Sequence, residues 1–243
     1  MIELRSARAA DIEYYARIQA VAWGEKMAAE SEKLRNRFAV NPDGVLVAEQ
    51  EGNILGLVST IRIVSYDYAR SPSWYEISSD GWCHNHQPDG TVLYGIDLSV
   101  LRGAPRGTVD ILMVGVGQLA IRSGLKYCML GGRMPRYYKH HQDFTPGEYM
   151  QAKTKTGRYL DPEIEMYSKV PGLKIIQLLP NYFDDWESLD YGVLLRWRNP
   201  FYGLPGRKLW AHLFPKLYEL EQKYQRRRAH KEATKRLSSR KGG

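Results

Sequence analysis

The sequence predicts an α/β fold built on a mixed sheet. Three observations carry this. Segments of strand-like alternation interleave with segments of helical periodicity along the chain. One pair of early strand runs is joined by the turn signal "EGN". Two further strand runs follow each other late, with no helix between them.

The elements follow in order. "IELRSA" (2–7) alternates like a half-buried strand. "AADIEYYARIQAVAW" spaces Ile12, Tyr15, Ile18, Ala22 and Trp23 as one helix face, with Asp11 near its start. "SEKLRNRFAV" reads as a short helix capped by Ser31. "GVLVAEQEGNILGLVSTIRIV" is two strands turned at "EGN". Residues 66–91 form a long segment rich in Ser, Pro, Asp, Gly and aromatics, of the kind that is functional or made of small local elements. "TVLYGIDLSV" is the next strand. "TVDILMVGVGQLAIRSG" is a helix weakened by Gly115 and Gly117. "LKYCMLGG" (125–132) is a buried strand, "PGEYMQAKTKTG" a polar helix ending at Gly157, and "GLKIIQLLPNY" and "YGVLLRWRNP" the two late strands.

Composition sets the limits on function. The 243 residues suit one large domain, or one domain plus an extension. We divide the chain into a domain over 1–205 and a basic extension over 206–243. The net charge of +8 is uneven: from Gly206 onward there are 12 Lys/Arg against 3 Asp/Glu, so the rest of the chain is close to neutral. The high pI therefore belongs to the extension, and the main domain need not touch nucleic acid. The N-terminal residues carry charges where a signal peptide needs an apolar core. Two cysteines, Cys83 and Cys128, make no disulfide framework. The expected setting is cytoplasmic. "CHNH" (83–86) invites a metal reading, but zinc wants four ligands and no second Cys/His pair is evident. No metal is expected.

The extension repeats Leu209, Leu213, Leu217, Leu220 and Tyr224 at helical spacing, with Pro215 as a point of kinking. Three roles stay open: its leucine stripe packs on the domain; it meets an acidic partner or a second copy of the chain; or it lies on an anionic membrane or nucleic acid.

The stretch "YGIDLSVLRGAPRGT" (94–108) has the strand–loop–helix layout that seats pyrophosphate, with Arg102, Gly103, Arg106 and Gly107 in the loop. Free amides at a helix start favour an anion, and glycine lets the backbone come close. Taken alone, the same residues also fit a basic surface turn.

That loop, the element order, and the blocks "SWYEISSDGWCHNHQPDGTVLYGIDLSV", "LGGRMPRYYKH", "YLDPEIEMYSK" and "IIQLLPNYFDDWESLDYGVLLRWRNP" resemble the GNAT superfamily of acyl-CoA-dependent N-acyltransferases. The blocks are most similar to the GNAT domain fused ahead of nitrilase-type carbon–nitrogen hydrolases, and to GNAT-like loading domains of polyketide synthases. The resemblance covers roughly residues 1–200. It implies a central sheet flanked by helices, split between two parallel strands near residue 98. Acetyl-CoA or another acyl-CoA would enter the split as co-substrate. Its pantetheine arm would pair with Asp97, Leu98, Ser99 and Val100, and its pyrophosphate would rest on Arg102, Gly103, Arg106, Gly107 and Thr108. An acyl carrier protein is a further partner the resemblance implies, and the acceptor is an unidentified small amine or amino-acid derivative, with acetyl transfer as the expected reaction.

Family loops read Gln/Arg-x-x-Gly-x-Gly/Ala. Here Arg106 and Gly107 match the start, but Val109, Asp110 and Ile111 replace small residues. Asp110 is expected to set a negative charge beside the phosphates. This departure keeps a second reading in play, a non-catalytic module that uses the cleft only to bind.

The resemblance places Tyr167, in "IEMYSKVPGLKI", as the acid that protonates the leaving thiolate, with one extra residue before Gly172. The candidate bases are Asp97 on the central strand and His86 in the long loop before it. Arg133 and Tyr137 fall on the acceptor side, where Arg133 would bind an acidic group; Glu76 is a further carboxylate grouped with them. Decarboxylating loaders carry a histidine near their "DP" motif. Met166, Tyr167 and Ser168 stand there instead, which speaks against decarboxylation.

Overall fold

Seven strands form one sheet in the order β1-β2-β3-β4-β5-β7-β6. The computed structural model describes residues 1–25, 27–70 and 73–239, with side chains of the last helix given as far as Arg228. In chain order the elements are β1 (Glu3–Ser6), α1 (Ile12–Trp23), α2 (Ser31–Val40), β2 (Val45–Gln50), β3 (Asn53–Ile63), α3 (Trp74–Ser78), β4 (Val92–Val100), α4 (Thr108–Ser123), β5 (Tyr127–Arg133), α5 (Pro146–Tyr149), α6 (Pro162–Tyr167), β6 (Leu173–Leu179), β7 (Gly192–Arg198) and α7 (Arg207–Ser239).

The β2–β3 hairpin turns at Glu51 and Gly52, both at positive φ, as the "EGN" signal requires. The pairing between β4 and β5 is parallel and the others are antiparallel, so the sheet is mixed. Two local expectations change, and a third, the small local elements of residues 66–91, holds. Glu30, not Ser31, occupies the N-cap of α2. The polar helix expected to run to Gly157 is one turn long: Thr145 and Glu148 close a capping box, and beyond Tyr149 and Met150 the sequence has no apolar periodicity to bury, so it folds into a turn bridged by Lys153 and Tyr159. The long 66–91 segment is made of local pieces. Among them is α3, closed by a capping box between Ser73 and Glu76.

The two glycines of α4 are notches for its neighbours. A Cβ at Gly115 would lie 2.6 Å from Leu4 Cδ2 of β1, and one at Gly117 would lie 2.4 Å from Phe214 Cε1 of α7. The helix pays about 1 kcal/mol of propensity at each glycine, and close packing on both sides offsets it. Gly117→Ala is therefore expected to destabilise the protein by about 1–3 kcal/mol despite the better helix former. Urea denaturation measures this, and Phe214→Leu in the same chain should recover part of the loss.

α7 meets α4 on a different face from the one its leucines predict. Ala211, Phe214 and Tyr218 are buried, while Leu209, Leu217, Leu220 and Tyr224 are exposed. Three physical reasons select this face. Phe214 fills the notch at Gly117 and stacks edge-on against Trp197. Pro215 has no N–H to give the carbonyl of Ala211, and Gln118 Nε2 of α4 donates to that carbonyl instead, at 2.9 Å. Asp110, in the first turn of α4, accepts from Tyr218 Oη at 3.2 Å and Gln222 Nε2 at 2.6 Å. These contacts pair residues in opposite order, so α7 runs antiparallel to α4. The side chains of the basic run beyond Arg228 lie outside the described residues. Among the described residues no helix is long and apolar enough to cross a membrane.

Candidate active site

The two central strands part where their parallel pairing ends. β4 pairs with β5 only from Val92 to Gly95, against Tyr127 to Leu130. Beyond that point β4 continues beside β3 as far as Val100, and β5 continues beside β7 as far as Arg133. The opening therefore begins after Gly95, a little earlier than expected. A bulge at Ile96 marks it, because Ser59 faces Asp97 while Thr60 faces Gly95. The indole N–H of Trp74 donates to the freed carbonyl of Ile96 at 2.9 Å. Past Gly95, the edge of β4 that faces β5 has no strand partner.

A cleft of about 440 Å³ fills the gap. Its floor and walls are mostly apolar, with Leu98, Val100, Met113, Met129 and Met166 among them. Arg102 stands at one end, and Arg133, Glu163 and Tyr167 line it as well.

The loop between β4 and α4 is built to leave amides open. Gly103 and Gly107 take positive φ, and Gly107 is the N-cap of α4. Thr108 N–H is turned back to Pro105, and the first helical bond runs from Ile111 to Gly107. The N–H groups of Arg106, Gly107, Val109 and Asp110 have no acceptor among the described residues. Arg102 and Arg106 are exposed, and neither is ion-paired among the described residues. Asp110 stays in the first turn of α4, as the sequence suggested, but its carboxylate has partners on α7. Its bonds to Tyr218 and Gln222 turn it toward α7. Of the remaining loop candidates, Ser99 is buried and accepts from Trp23 Nε1 at 2.9 Å, so its hydroxyl serves the wall.

Asp97 lies at the heart of a buried polar knot. Its carboxylate accepts from Tyr15 Oη at 2.6 and 2.7 Å, from Ser59 Oγ at 2.7 Å and from Arg37 Nη1 at 2.6 Å. Arg37 and Asp97 side chains are only 2% and 6% exposed. Burial and the adjacent Asp97 push the Tyr15 phenol well above its usual range. A carboxylate engaged by three donors in this way organises α1, α2, β3 and β4 around the bulge, at the wall of the cleft that Asp97 helps to line.

Tyr167 lies on α6, whose N-cap Asp161 accepts from the amides of Glu163 and Ile164. The tyrosine is 6% exposed, and its hydroxyl, which makes no hydrogen bond among the described residues, is open to the cleft. Burial is the main cause holding its phenol far above the ordinary range, with Glu163 adding to it, so it stays protonated. The paired glycines of β5 explain how it fits. A Cβ at Gly132 would lie 3.1 Å from the Tyr167 ring, and one at Gly131 would lie 2.1 Å from Tyr182. "LGGR" is thus the bare stretch of strand over which two cleft tyrosines lie.

Glu163, which sequence reasoning passed over, is one turn before Tyr167 on the same face. Its side chain is 26% exposed, and it stands 3.8 Å from Arg133 Nη1. Burial pushes its carboxyl up to about 7, against the pull of Arg133. The signal was its i,i+4 spacing from Tyr167. Arg133 itself is engaged with local acids: Nε and Nη2 donate to Asp185 at 2.7 and 2.8 Å, and Nη2 donates to Glu187 at 2.8 Å. Its guanidinium also lies 5.4 Å from the ring centre of Trp23.

Three predicted residues are not brought to the cleft. His86 accepts from the Arg62 amide through Nδ1 at 3.1 Å and lines a separate hollow with Asn41, Asp43 and Leu93. Burial and Arg62 lower its pKa there. Glu76 is spent on the capping box of α3. Tyr137 is buried, and its hydroxyl donates to Phe144 O. Cys128 is buried in β5, with its thiol pushed far up by desolvation. Among the described residues no three His, Cys, Asp or Glu side chains are grouped to hold a metal ion.

The chain is similar to known proteins in sequence and in fold. No family model matches the chain. The probable hydrolase YhcX of Bacillus subtilis (strain 168) is 34% identical over 163 residues, which is 66% of this chain but only 31% of that protein. The uncharacterized N-acetyltransferase YkwB of the same organism is 30% identical over 185 residues, 76% of this chain and 78% of that one. Among solved structures, the loading GNATL domain of CurA from Lyngbya majuscula superposes with a TM-score of 0.72 at 23% identity, over 82% of this chain and 98% of that domain. The GphF GNAT-like decarboxylase in complex with isobutyryl-CoA gives 0.72 at 21% identity, over 81% and 99%. These two share the fold. With the parted strands, the open-amide loop and a relative aligned over most of its length, the chain belongs to the GNAT superfamily of N-acyltransferases.

Proposed function

We propose that the protein transfers an acyl group from acyl-CoA to the nitrogen of a small amine. The observation that carries this is the conjunction of the cleft and the loop: a thioester-sized gap opens after Gly95, and the amides of Arg106, Gly107, Val109 and Asp110, without an acceptor among the described residues, lie at the start of α4. The pantetheine arm runs along the unpartnered edge of β4 at Leu98–Val100. The pyrophosphate takes the amides of Arg106, Gly107 and Val109, with Arg102 and Arg106 adding charge-assisted bonds. As the amine attacks the carbonyl, backbone amides at the opening hold the developing oxyanion. The C–S bond then breaks, and Tyr167 gives its proton to the thiolate.

A binding-only module drew its support from the loop residues Val109–Ile111. The carboxylate of Asp110 is engaged by Tyr218 and Gln222 of α7, and the open amides beside Arg102 and Arg106 favour the enzyme.

The test is a thiol-release assay with acetyl-CoA and a panel of amines, run beside titrations of wild type and Arg106→Ala. The variant is expected to weaken acetyl-CoA binding by about 10-fold, a loss equal to one charge-assisted bond of about 1.5 kcal/mol, while the melting temperature without ligand is unchanged. An unchanged dissociation constant removes the loop from the site. A thioester on an acyl carrier protein has the same arm but lacks the adenosine diphosphate. If such a carrier were the donor, free acetyl-CoA and acetyl-pantetheine would bind alike.

A further inference from the structure

The acceptor end of the cleft has the opposite electrostatic character from the one Arg133 suggests. The segment from Phe183 to Tyr191 carries Asp184, Asp185, Glu187 and Asp190 and no cation. Arg133 is held by Asp185 and Glu187, with Glu163 beyond at 3.8 Å. Three carboxylates thus surround one guanidinium, and the cluster has a negative surplus when Glu163 is ionised. Among the described residues the cation at this place, Arg133, is already paired and is not free for a substrate carboxylate. Beside the cluster, Tyr167 is 6% exposed, and its hydroxyl, without a hydrogen-bond partner among the described residues, opens to the same cleft. Aromatic rings complete this end: Trp23 under Arg133, and Trp74 with Phe183, whose centroids are 5.1 Å apart. Acidic side chains and aromatic faces together suit an organic ammonium ion.

Resting on the acyl-CoA reading above, we propose that the acceptor is a carboxylate-free apolar amine, drawn in as its ammonium ion and deprotonated by Glu163. Free amino acids are excluded because their carboxylate would meet Glu163 in the cleft, where Arg133 is already held by Asp185 and Glu187.

The proton balance closes. The ammonium passes one proton to the Glu163 carboxylate, which returns it to solvent. The free amine attacks the thioester carbonyl carbon and the C–N bond forms. As the tetrahedral intermediate collapses, the C–S bond breaks and the thiolate takes the Tyr167 proton. The second proton from nitrogen restores the tyrosine. The products are an amide, a free thiol and one released proton. The groups around Glu163 are Arg133 on β5, Asp185 on the acidic segment, and Asp161 and Tyr167 on its own helix. Its carboxyl titrates near pH 7, because burial outweighs Arg133, so the ionised form that accepts a proton grows as pH rises through that value.

The experiment uses the full chain with acetyl-CoA as donor and two acceptors that differ only in a carboxylate, 2-phenylethylamine and phenylalanine. We expect kcat/KM to favour phenylethylamine by about 100-fold, the scale of a like-charge penalty at a partly buried site. The rate with phenylethylamine should rise through about pH 7 and then level. Glu163→Gln should flatten that rise and lower kcat by about 100-fold while leaving acetyl-CoA affinity unchanged. Quenching of tryptophan fluorescence gives a readout independent of turnover: phenylethylammonium binding should weaken as salt is raised. Equal or better use of phenylalanine, or an unaltered pH profile in Glu163→Gln, overturns this inference. Transfer to neither compound with acetyl-CoA still bound overturns it too and leaves the acyl-CoA reading standing. Failure to bind acetyl-CoA overturns both.

Discussion

Tyr167→Phe should lower kcat by about 100-fold, the lower end of what a positioned acid contributes, with little change in KM for acyl-CoA. The substitution deletes one oxygen and keeps the ring that lies over Gly132, so packing survives. The hydroxyl has no hydrogen-bond partner to orphan among the described residues. Its removal should therefore leave stability within about 0.5 kcal/mol of wild type. Single-turnover acyl transfer measures the first effect and urea denaturation the second. A purely structural tyrosine would give a different pattern, with kcat unchanged or with stability and activity falling together. Protonation of the leaving thiolate matters only as the C–S bond breaks, so an interaction made there appears in kcat and kcat/KM alike.

Asp97→Ala should cost about 3–5 kcal/mol of stability, because it strands the Arg37 guanidinium in a buried site. The same change releases the hydroxyls of Tyr15 and Ser59 from their acceptor. The knot sits beside the bulge at Ile96, so the strands should lose their fixed opening and acyl-CoA binding should fall along with stability. The double variant Arg37→Met, Asp97→Leu replaces both charges by apolar groups and should recover most of the stability. Chemical denaturation of the two variants checks this. If Asp97 were instead a free general base, its alanine variant would fold as well as wild type and lose only turnover. Near wild-type stability in Asp97→Ala therefore contradicts the role assigned here.

Much of the fold was legible because each strand and helix carries its own period. Alternation marks β1, the "EGN" turn closes the hairpin, and the apolar runs mark β5 and β7. What failed locally failed for want of burial: the segment after Tyr149 has helix-tolerant residues but no apolar face to hold them. α7 shows the limit of periodicity. Its leucine stripe is the stronger pattern, yet the notch at Gly117, the carbonyl freed by Pro215 and the acceptor at Asp110 select the aromatic face. The partners on α4, Gly117, Gln118 and Asp110, lie roughly a hundred residues away in sequence. The same distance hid the knot at Asp97, whose partners Tyr15 and Arg37 come from the first two helices. Tyr167 was accessible through its resemblance to a family segment. Glu163, four residues earlier, carried only a spacing, and its value as a base comes from burial that no single sequence displays. His86 and Glu76 were drawn in by residue type, and the turns of the long segment direct them elsewhere.

The central claim is that the charged end of the acyl donor rests on the amides at the start of α4 while its arm lies in the parted strands. Amide resonances of the isotope-labelled chain, followed as acetyl-CoA or acetyl-pantetheine is added, test this directly. The account predicts that both ligands shift Leu98–Val100, and that acetyl-CoA alone shifts Arg106, Gly107, Val109 and Asp110. Shifts that leave both stretches untouched, or identical responses of the loop to the two ligands, would contradict it.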